Sequence, residues 1–242
     1  MENKVGFTRK IDNQTKWLFV LIILPLYVYL SSIIGSALIK FIFSTFSLSS
    51  DYYTLTCILN FIVDLGMLIV VFFIFKDQML CQWEDFKKNW KSNLFYGFII
   101  GTALIYIAGI GGGMLTLALG GAQISENQAL IEAIMDVQPL LMMIPTVIFA
   151  PILEEMIFRG IIFGWVYELN PKLAHMISAF IFGFVHIMSA VLSGQISEWI
   201  QIFSYFFMGI ALSFLYEKKN NIYVPILSHA MNNFISILLV LF

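Results

Sequence analysis

The chain alternates long apolar runs with short polar stretches, and the length of these runs is its first structural signal. Each of seven runs holds about 18 or more almost wholly apolar residues, the length an α-helix needs to cross the hydrocarbon core of a membrane. They predict membrane-spanning helices near residues 17–44, 53–75, 94–119, 139–166, 173–191, 199–216 and 222–242. The predicted fold class is therefore all-α: a polytopic transmembrane helical bundle of about seven spans.

Two of the polar stretches predict helices that do not cross the membrane. Residues 77–91 mix tryptophan and phenylalanine with acidic and basic residues, a composition suited to lying in the membrane interface. Ser125 followed by Gln128 resembles a capping box, which would start an amphipathic helix on the other side of the membrane.

Composition supports an integral membrane protein and argues against two other classes. The 242 residues are 60% hydrophobic and 12% charged, which is far more apolar than a soluble domain. The net charge of -2 and the absence of a basic stripe outside the predicted cytosolic loops argue against a nucleic-acid partner. Cys57 falls in an apolar run and Cys81 in a polar stretch, so a disulfide framework is not expected.

The distribution of basic residues predicts the orientation of the bundle. Cytoplasmic loops are enriched in Lys and Arg, and with the N-terminus cytosolic all basic residues except Lys40 and Arg159 fall on the cytosolic side. These residues are Lys4, Arg9, Lys10, Lys16, Lys76, Lys87, Lys88, Lys91, Lys172, Lys218 and Lys219. An odd number of spans then places the C-terminus outside.

The fourth predicted span carries the charges that most need an explanation. A charged side chain at the bilayer centre costs on the order of 3 kcal/mol, so intramembrane Glu and Arg usually mark a functional site. Glu155 and Arg159 are four residues apart and share a helix face, whereas Glu154 is offset by about 100° and stays free to react. The alternative is an ion pair that only holds two helices together.

Two later spans add His186, His229 and Asn233, and His229 and Asn233 share one face. We expect Glu154 to act as a general base and His186 to share the attacking water. His229 and Asn233 would stabilise the oxyanion, where one donor is commonly worth about 3 kcal/mol. Their distances from the span ends place these residues in the middle to cytosolic half of the bilayer. Ser228 would point about 100° away from His229, and no serine or cysteine stands out as a nucleophile.

Three short sequence motifs resemble, in content and in order along the chain, the signature motifs of the CAAX protease and bacteriocin-processing (Abi) family of intramembrane proteases. The resemblance covers roughly residues 139–236. The three motifs are Glu154-Glu155-x-x-Phe158-Arg159, Phe182-x-x-x-His186 and His229-x-x-x-Asn233. The resemblance implies that Glu154 and His186 activate water, that His229 and Asn233 form the oxyanion site, and that Glu155 and Arg159 support it. It divides the chain into N-terminal helices and interfacial segments, 1–138, and a catalytic core, 139–242.

A metal ion is the open question for the chemistry. Zinc takes about three protein ligands plus water, and Glu154, His186 and His229 are the candidates, but no His-Glu-x-x-His helix is present. We favour a reaction without a metal or other cofactor, because an amide and a nearby arginine suit an oxyanion better than a cation.

The resemblance also bounds the substrate and the rival functions. One branch of the family removes the last three residues of prenylated proteins, and the short bacterial branch processes pheromone or bacteriocin peptides or confers immunity. We expect a bacterial plasma-membrane protease that cuts a membrane-associated peptide from the cytosolic side, with membrane lipid as its other partner. Two alternatives are a non-catalytic immunity or scaffolding protein and a proton-coupled transporter using Asn60 and Asp64. Asp64 is also explained by a helix–helix hydrogen bond.

Overall fold

The computed structural model describes residues 6–7, 11–29, 35–46 and 52–241, and within them the chain is helical with no β-strand. We number the helices in chain order. They are α1 (13–29), α2 (Gly35–Phe46), α3 (Tyr52–Lys88), α4 (Trp90–Ala118), α5 (Glu126–Val137), α6 (Pro139–Leu169), α7 (Pro171–Leu192), α8 (Ile196–Lys219) and α9 (Tyr223–Leu241). The all-α prediction is confirmed.

Six helices in the described part of the chain, α3, α4 and α6 to α9, are long and apolar enough to cross a membrane. They correspond to the last six of the seven predicted spans, and the chain is a multi-pass membrane protein. The first predicted span, 17–44, covers parts of α1 and α2, and residues 30–34 between them lie outside the described residues. Lys4, Arg9 and Lys10 also lie outside them.

The stretch predicted as a separate interfacial helix, 77–91, is mostly a continuation of α3. Phe75 has non-helical dihedral angles (φ -111°, ψ 18°), so α3 bends where the second span was expected to end, and it continues to Lys88. The continuation is held against the start of α9, because Gln82 accepts a hydrogen bond from the Ile222 amide (2.8 Å) and from the Asn221 side chain (2.7 Å). These bonds explain why the segment packs on the bundle.

The short helix α5 begins as the sequence predicts. Ser125 is its N-cap and accepts from the amide of Gln128 (3.2 Å). The Ser125 hydroxyl also bonds to the Tyr205 hydroxyl of α8 (2.6 Å), and Glu198 accepts from the Glu126 amide (3.2 Å). A carboxylate at a helix N-terminus is favourable, so α5 is fixed on the ends of its neighbours.

Polar contacts join the helix ends on two opposite sides of the bundle. On one side Lys16 pairs with Glu168 (3.2 Å), and Lys219 donates to Ser92 (2.9 Å). On the other side Gln201 donates to Ala122 O (2.8 Å), next to α5. We call these the lysine side and the α5 side. The positive-inside rule predicts that the lysine side is cytosolic.

Helix α6 is the most buried of the candidate spans and lies among the others. The close approach of α7 and α8 beside α6 depends on a glycine. A β-carbon at Gly209 of α8 would lie 2.8 Å from Ala179 Cα, and the Gly209 carbonyl accepts from Arg159 of α6 (3.2 Å). Substituting this glycine would push α7 and α8 apart and displace the backbone carbonyl that accepts from Arg159.

Candidate active site

Helix α6 is irregular next to the predicted catalytic residues, and its prolines explain part of this. Over Pro145–Phe149 it has π geometry, and the Ala150 amide donates to Pro145 O, five residues back. The next amide in this pattern would be that of Pro151, which has no N–H. Thr146 O instead accepts from the Asn233 side chain (2.9 Å). The proline therefore creates the acceptor that fixes the Asn233 amide group.

Three predicted residues from three helices meet at one carboxylate oxygen. Glu154 Oε2 lies 3.8 Å from His186 Nε2 and 3.8 Å from His229 Nε2, and it makes no hydrogen bond to any described residue. All three side chains are largely buried. The carboxylate and both imidazoles therefore face one small common space.

Hydrogen bonds at the Nδ1 atoms of His186 and His229 determine which ring atoms of the two histidines face Glu154. His186 Nδ1 lies 2.8 Å from Phe182 O, and because a carbonyl only accepts, Nδ1 carries the hydrogen. His229 Nδ1 lies 2.9 Å from Glu155 Oε1, which also accepts from Arg159, so we assign a hydrogen to this Nδ1 as well. In the neutral rings both Nε2 atoms then present lone pairs towards Glu154.

Glu155 and Arg159 form a fully buried ion pair behind His229. Arg159 donates to Glu155 Oε1 (2.9 Å), and the guanidinium lies 4.5 Å from the Phe182 ring centroid. Burying such a pair is costly unless hydrogen bonds offset it, and the His229 ring and Gly209 O supply two of them. Glu155 Oε2 and Arg159 Nε have no hydrogen-bond partner among the described residues. The shared face predicted for Glu155 and Arg159 is confirmed, and the pair also orients a histidine.

A cavity of about 710 Å³ extends from this cluster. Its walls come mainly from the halves of the spans that are remote from the lysine side, and it reaches Glu126 in the first turn of α5 and Gln195 before α8. Among the lining residues are Asp64, Tyr106, Thr146, Ser189, Tyr205 and Asn233. The cavity thus extends away from the lysine side, and the expected approach of the substrate from the cytosol stays a prediction.

The three histidine and glutamate side chains were also candidates for a zinc site. Zinc–nitrogen bonds of 2.0–2.1 Å place tetrahedral ligand atoms roughly 3.3 Å apart. Both Nε2–Oε2 distances are 3.8 Å, and no three His, Cys, Asp or Glu side chains of the described residues are arranged to hold a metal ion. The side chains as placed do not fit zinc.

Comparison with known proteins gives a family for this part of the chain. Residues 136–235 match the model of the Rce1-like family, type II CAAX prenyl endopeptidase Rce1-like. The match contains all six predicted site residues, and the resemblance inferred from the motifs is confirmed.

Curated relatives agree with the family match. YdiL of Bacillus subtilis (strain 168), named as a candidate membrane peptidase, is 33% identical over 62% of this chain and 59% of its own length. The membrane-embedded CAAX protease MroQ of Staphylococcus aureus (strain USA300) is 31% identical over 50% of this chain and 47% of its own. The chain thus spans about half to three-fifths of the length of these two relatives. No solved structure gives a significant match.

Two tyrosines that the sequence analysis missed also reach the site. Tyr27 of α1, outside the Rce1-like segment, donates to Glu154 Oε1 (3.3 Å). Tyr205 of α8 stacks on the His186 ring, with centroids 4.4 Å apart. The only feature of the sequence that could have indicated either tyrosine was a hydroxyl group within an apolar run. A tyrosine that only packs in the bundle has the same feature. Ser228, in contrast, donates to Gly97 O (2.7 Å) and packs as expected.

Proposed function

We propose that this membrane protein is a protease that hydrolyses a peptide bond by means of water activated at Glu154. The observation that carries the proposal is the geometry at Glu154 Oε2, which is buried, has no hydrogen-bond partner among the described residues and faces two histidine nitrogens at 3.8 Å. A water oxygen can lie about 2.8 Å from two atoms at that separation. The family of residues 136–235 supports the same reaction class.

In the first step Glu154 Oε2 accepts a proton from water while His186 Nε2 holds the second water hydrogen. The hydroxide attacks the carbonyl carbon, and the carbonyl oxygen becomes an oxyanion. When the tetrahedral intermediate collapses, the carbon–nitrogen bond breaks and Glu154 returns its proton to the leaving amine. The carboxylate is thereby regenerated.

The oxyanion would be stabilised by His229 and Asn233, which line the same cavity. Asn232 donates to Asn233 Oδ1 (3.2 Å) and Thr146 O takes one Nδ2 hydrogen, which leaves the second hydrogen as a donor. His229 donates from Nε2 when both ring nitrogens are protonated, and Glu155 Oε1 accepts the Nδ1 hydrogen of that form. Glu155 and Arg159 are thus positioning residues.

The substrate class follows from where the cavity lies. We infer that the substrate is a membrane-associated peptide, which reaches the site through the half of the bundle on the α5 side. The protease itself would lie in a bacterial plasma membrane with its own N-terminus in the cytosol. Residues 139–242 would form the catalytic core, to which α1 adds Tyr27. Peptide pheromones and bacteriocin precursors fit this access better than a cytosolic CAAX tail does.

The proposal is tested by comparing wild-type protein with Glu154→Gln and His186→Ala at equal expression, using mass spectrometry of small membrane peptides. Wild type should generate new peptide termini that both variants lack. Ser228→Ala is the matched control, because Ser228 adjoins His229 but bonds only to backbone carbonyls, and it should give the wild-type profile. Identical profiles from folded wild type and Glu154→Gln would refute the protease and favour the scaffolding alternative. Solute flux into liposomes without new termini would favour the transporter.

A further inference from the structure

The cavity beside Glu154 carries negative charge that no lysine or arginine among its described lining residues balances. Its lining includes the carboxylates of Asp64, Glu126 and Glu154, and no lysine or arginine of the described residues lines it. The nearest arginine, Arg159, is already paired with Glu155. A cavity lined by charges of one sign concentrates groups of the opposite charge.

Asp64 of α3 is the carboxylate that hydrolysis does not explain. A helix–helix hydrogen bond was the structural alternative for Asp64, but among the described residues Asp64 makes neither a hydrogen bond nor an ion pair. Its electrostatic neighbour is Glu154, and the two carboxylates repel each other. Because an unpaired carboxylate within a membrane is costly, Asp64 would be stabilised by a partner that the described residues do not provide.

A second observation also indicates a ligand in this cavity. Glu154 is 8% exposed, and its Oε2 lies in the cavity wall without a partner. Tyr27 cannot serve Asp64 as a donor while it bonds to Glu154 Oε1. Both unsatisfied carboxylates therefore face the volume that a bound peptide would fill.

We propose that Asp64 binds a cationic group of the substrate, a lysine or arginine side chain or a free α-amino group, close to the scissile bond. This inference rests on the proposed function and specifies its substrate. Exposed Glu126, at the α5 end of the cavity, would attract the same group before it reaches Asp64. A free C-terminal carboxylate is repelled by the same groups, so a tail cut three residues from its end is a poor substrate.

The test uses the purified full-length chain in proteoliposomes and one cleavable peptide synthesised with Lys, norleucine or Glu at each position within three residues of the cut. At one position, kcat/KM for the Lys peptide should exceed that for the norleucine peptide at least tenfold, and Glu should be worst. Asp64→Asn should reduce the Lys-to-norleucine ratio to near one. Asp77→Asn removes the same charge from the same helix outside the cavity and should keep the wild-type ratio.

A ratio that is unchanged in Asp64→Asn, or no preference for Lys in wild type, would overturn the assignment of Asp64. If the protease proposal itself is wrong, the result is different, because wild type would then cut no peptide at all.

A binding experiment tests the role of Asp64 in that case as well. Glu154→Gln should bind a fluorescent Lys peptide at least tenfold more tightly than Glu154→Gln/Asp64→Asn does, and equal affinities would refute the role of Asp64. Asp64→Leu replaces the Asn variant if that variant misfolds.

Discussion

The adjacent glutamates Glu154 and Glu155 should respond in opposite directions to the same substitution. Glu154 Oε2 is buried without a hydrogen-bond partner, and such an unsatisfied group costs about 1–3 kcal/mol. In Glu154→Gln the amide can donate to the Nε2 lone pair of a histidine, and its oxygen can still accept from Tyr27. We therefore expect the folded state to gain about 1–3 kcal/mol while peptide cleavage is lost.

Glu155→Gln should have the opposite effect on stability. Glu155 and Arg159 are both fully buried, and Glu155 Oε1 accepts from Arg159 and His229 at 2.9 Å. Breaking a buried pair by removing one charge costs about 3–5 kcal/mol, because the other charge stays buried without compensation. Cleavage should also fall, because the His229 ring loses the acceptor that orients it.

Thermal unfolding in detergent measures both effects. For a chain of this size 1 kcal/mol shifts Tm by about 2–4 °C, so Glu154→Gln should raise Tm by roughly 2–12 °C and Glu155→Gln should lower it by roughly 6–20 °C. Glu84→Gln is the control for charge removal, since its exposed pair with Lys87 contributes about 0–1 kcal/mol. If Glu154→Gln lowers Tm as Glu155→Gln does, Glu154 is a structural residue and the reasoning is wrong.

Three further outcomes are expected. Asn233→Ala should lower kcat by about 10²–10³, the usual effect of removing one oxyanion donor, and a change confined to KM would contradict that role. Chelators should leave the purified enzyme active, whereas activity that depends strictly on added zinc would refute the metal-free mechanism. In a variant whose only cysteine is Asn127→Cys, a membrane-impermeant maleimide should label intact cells and block cleavage, whereas Lys88→Cys should react only in inverted vesicles. The reverse pattern would place the cavity on the cytosolic side.

The spans and the central charged residues are predictable from sequence because burial in lipid penalises each polar group separately. Runs of apolar residues locate α3 and α4 and the four helices from α6 to α9, and the cost of intramembrane charge selects Glu154 and Arg159 without any knowledge of packing. The N-cap at Ser125 is equally local. Each of these features depends on neighbours within one or two helical turns, which the sequence contains.

Features that depend on which helix faces meet were not predictable. Tyr27 lies 127 positions from Glu154, and nothing in the spacing of α1 indicates that the two bond. Among the glycines of α4, a β-carbon at Gly113 would meet nothing within 4 Å, whereas one at Gly112 would lie 2.6 Å from Phe203 O of α8, and the sequence does not distinguish the two. The side on which the cavity lies is a property of the assembled bundle for the same reason.

The different roles of the two glutamates follow from their spacing once the ring of His229 is in place. Four residues after Glu155 stands Arg159, which supplies the balancing charge, and four residues after Glu154 stands Phe158, which supplies none. His229 Nδ1 bonds to the charge-balanced carboxylate at 2.9 Å, and Nε2 faces the unbalanced one at 3.8 Å. One imidazole therefore separates a carboxylate fixed as a hydrogen-bond acceptor from one that can accept a proton. Exchanging the residues at positions 158 and 159 would remove this difference.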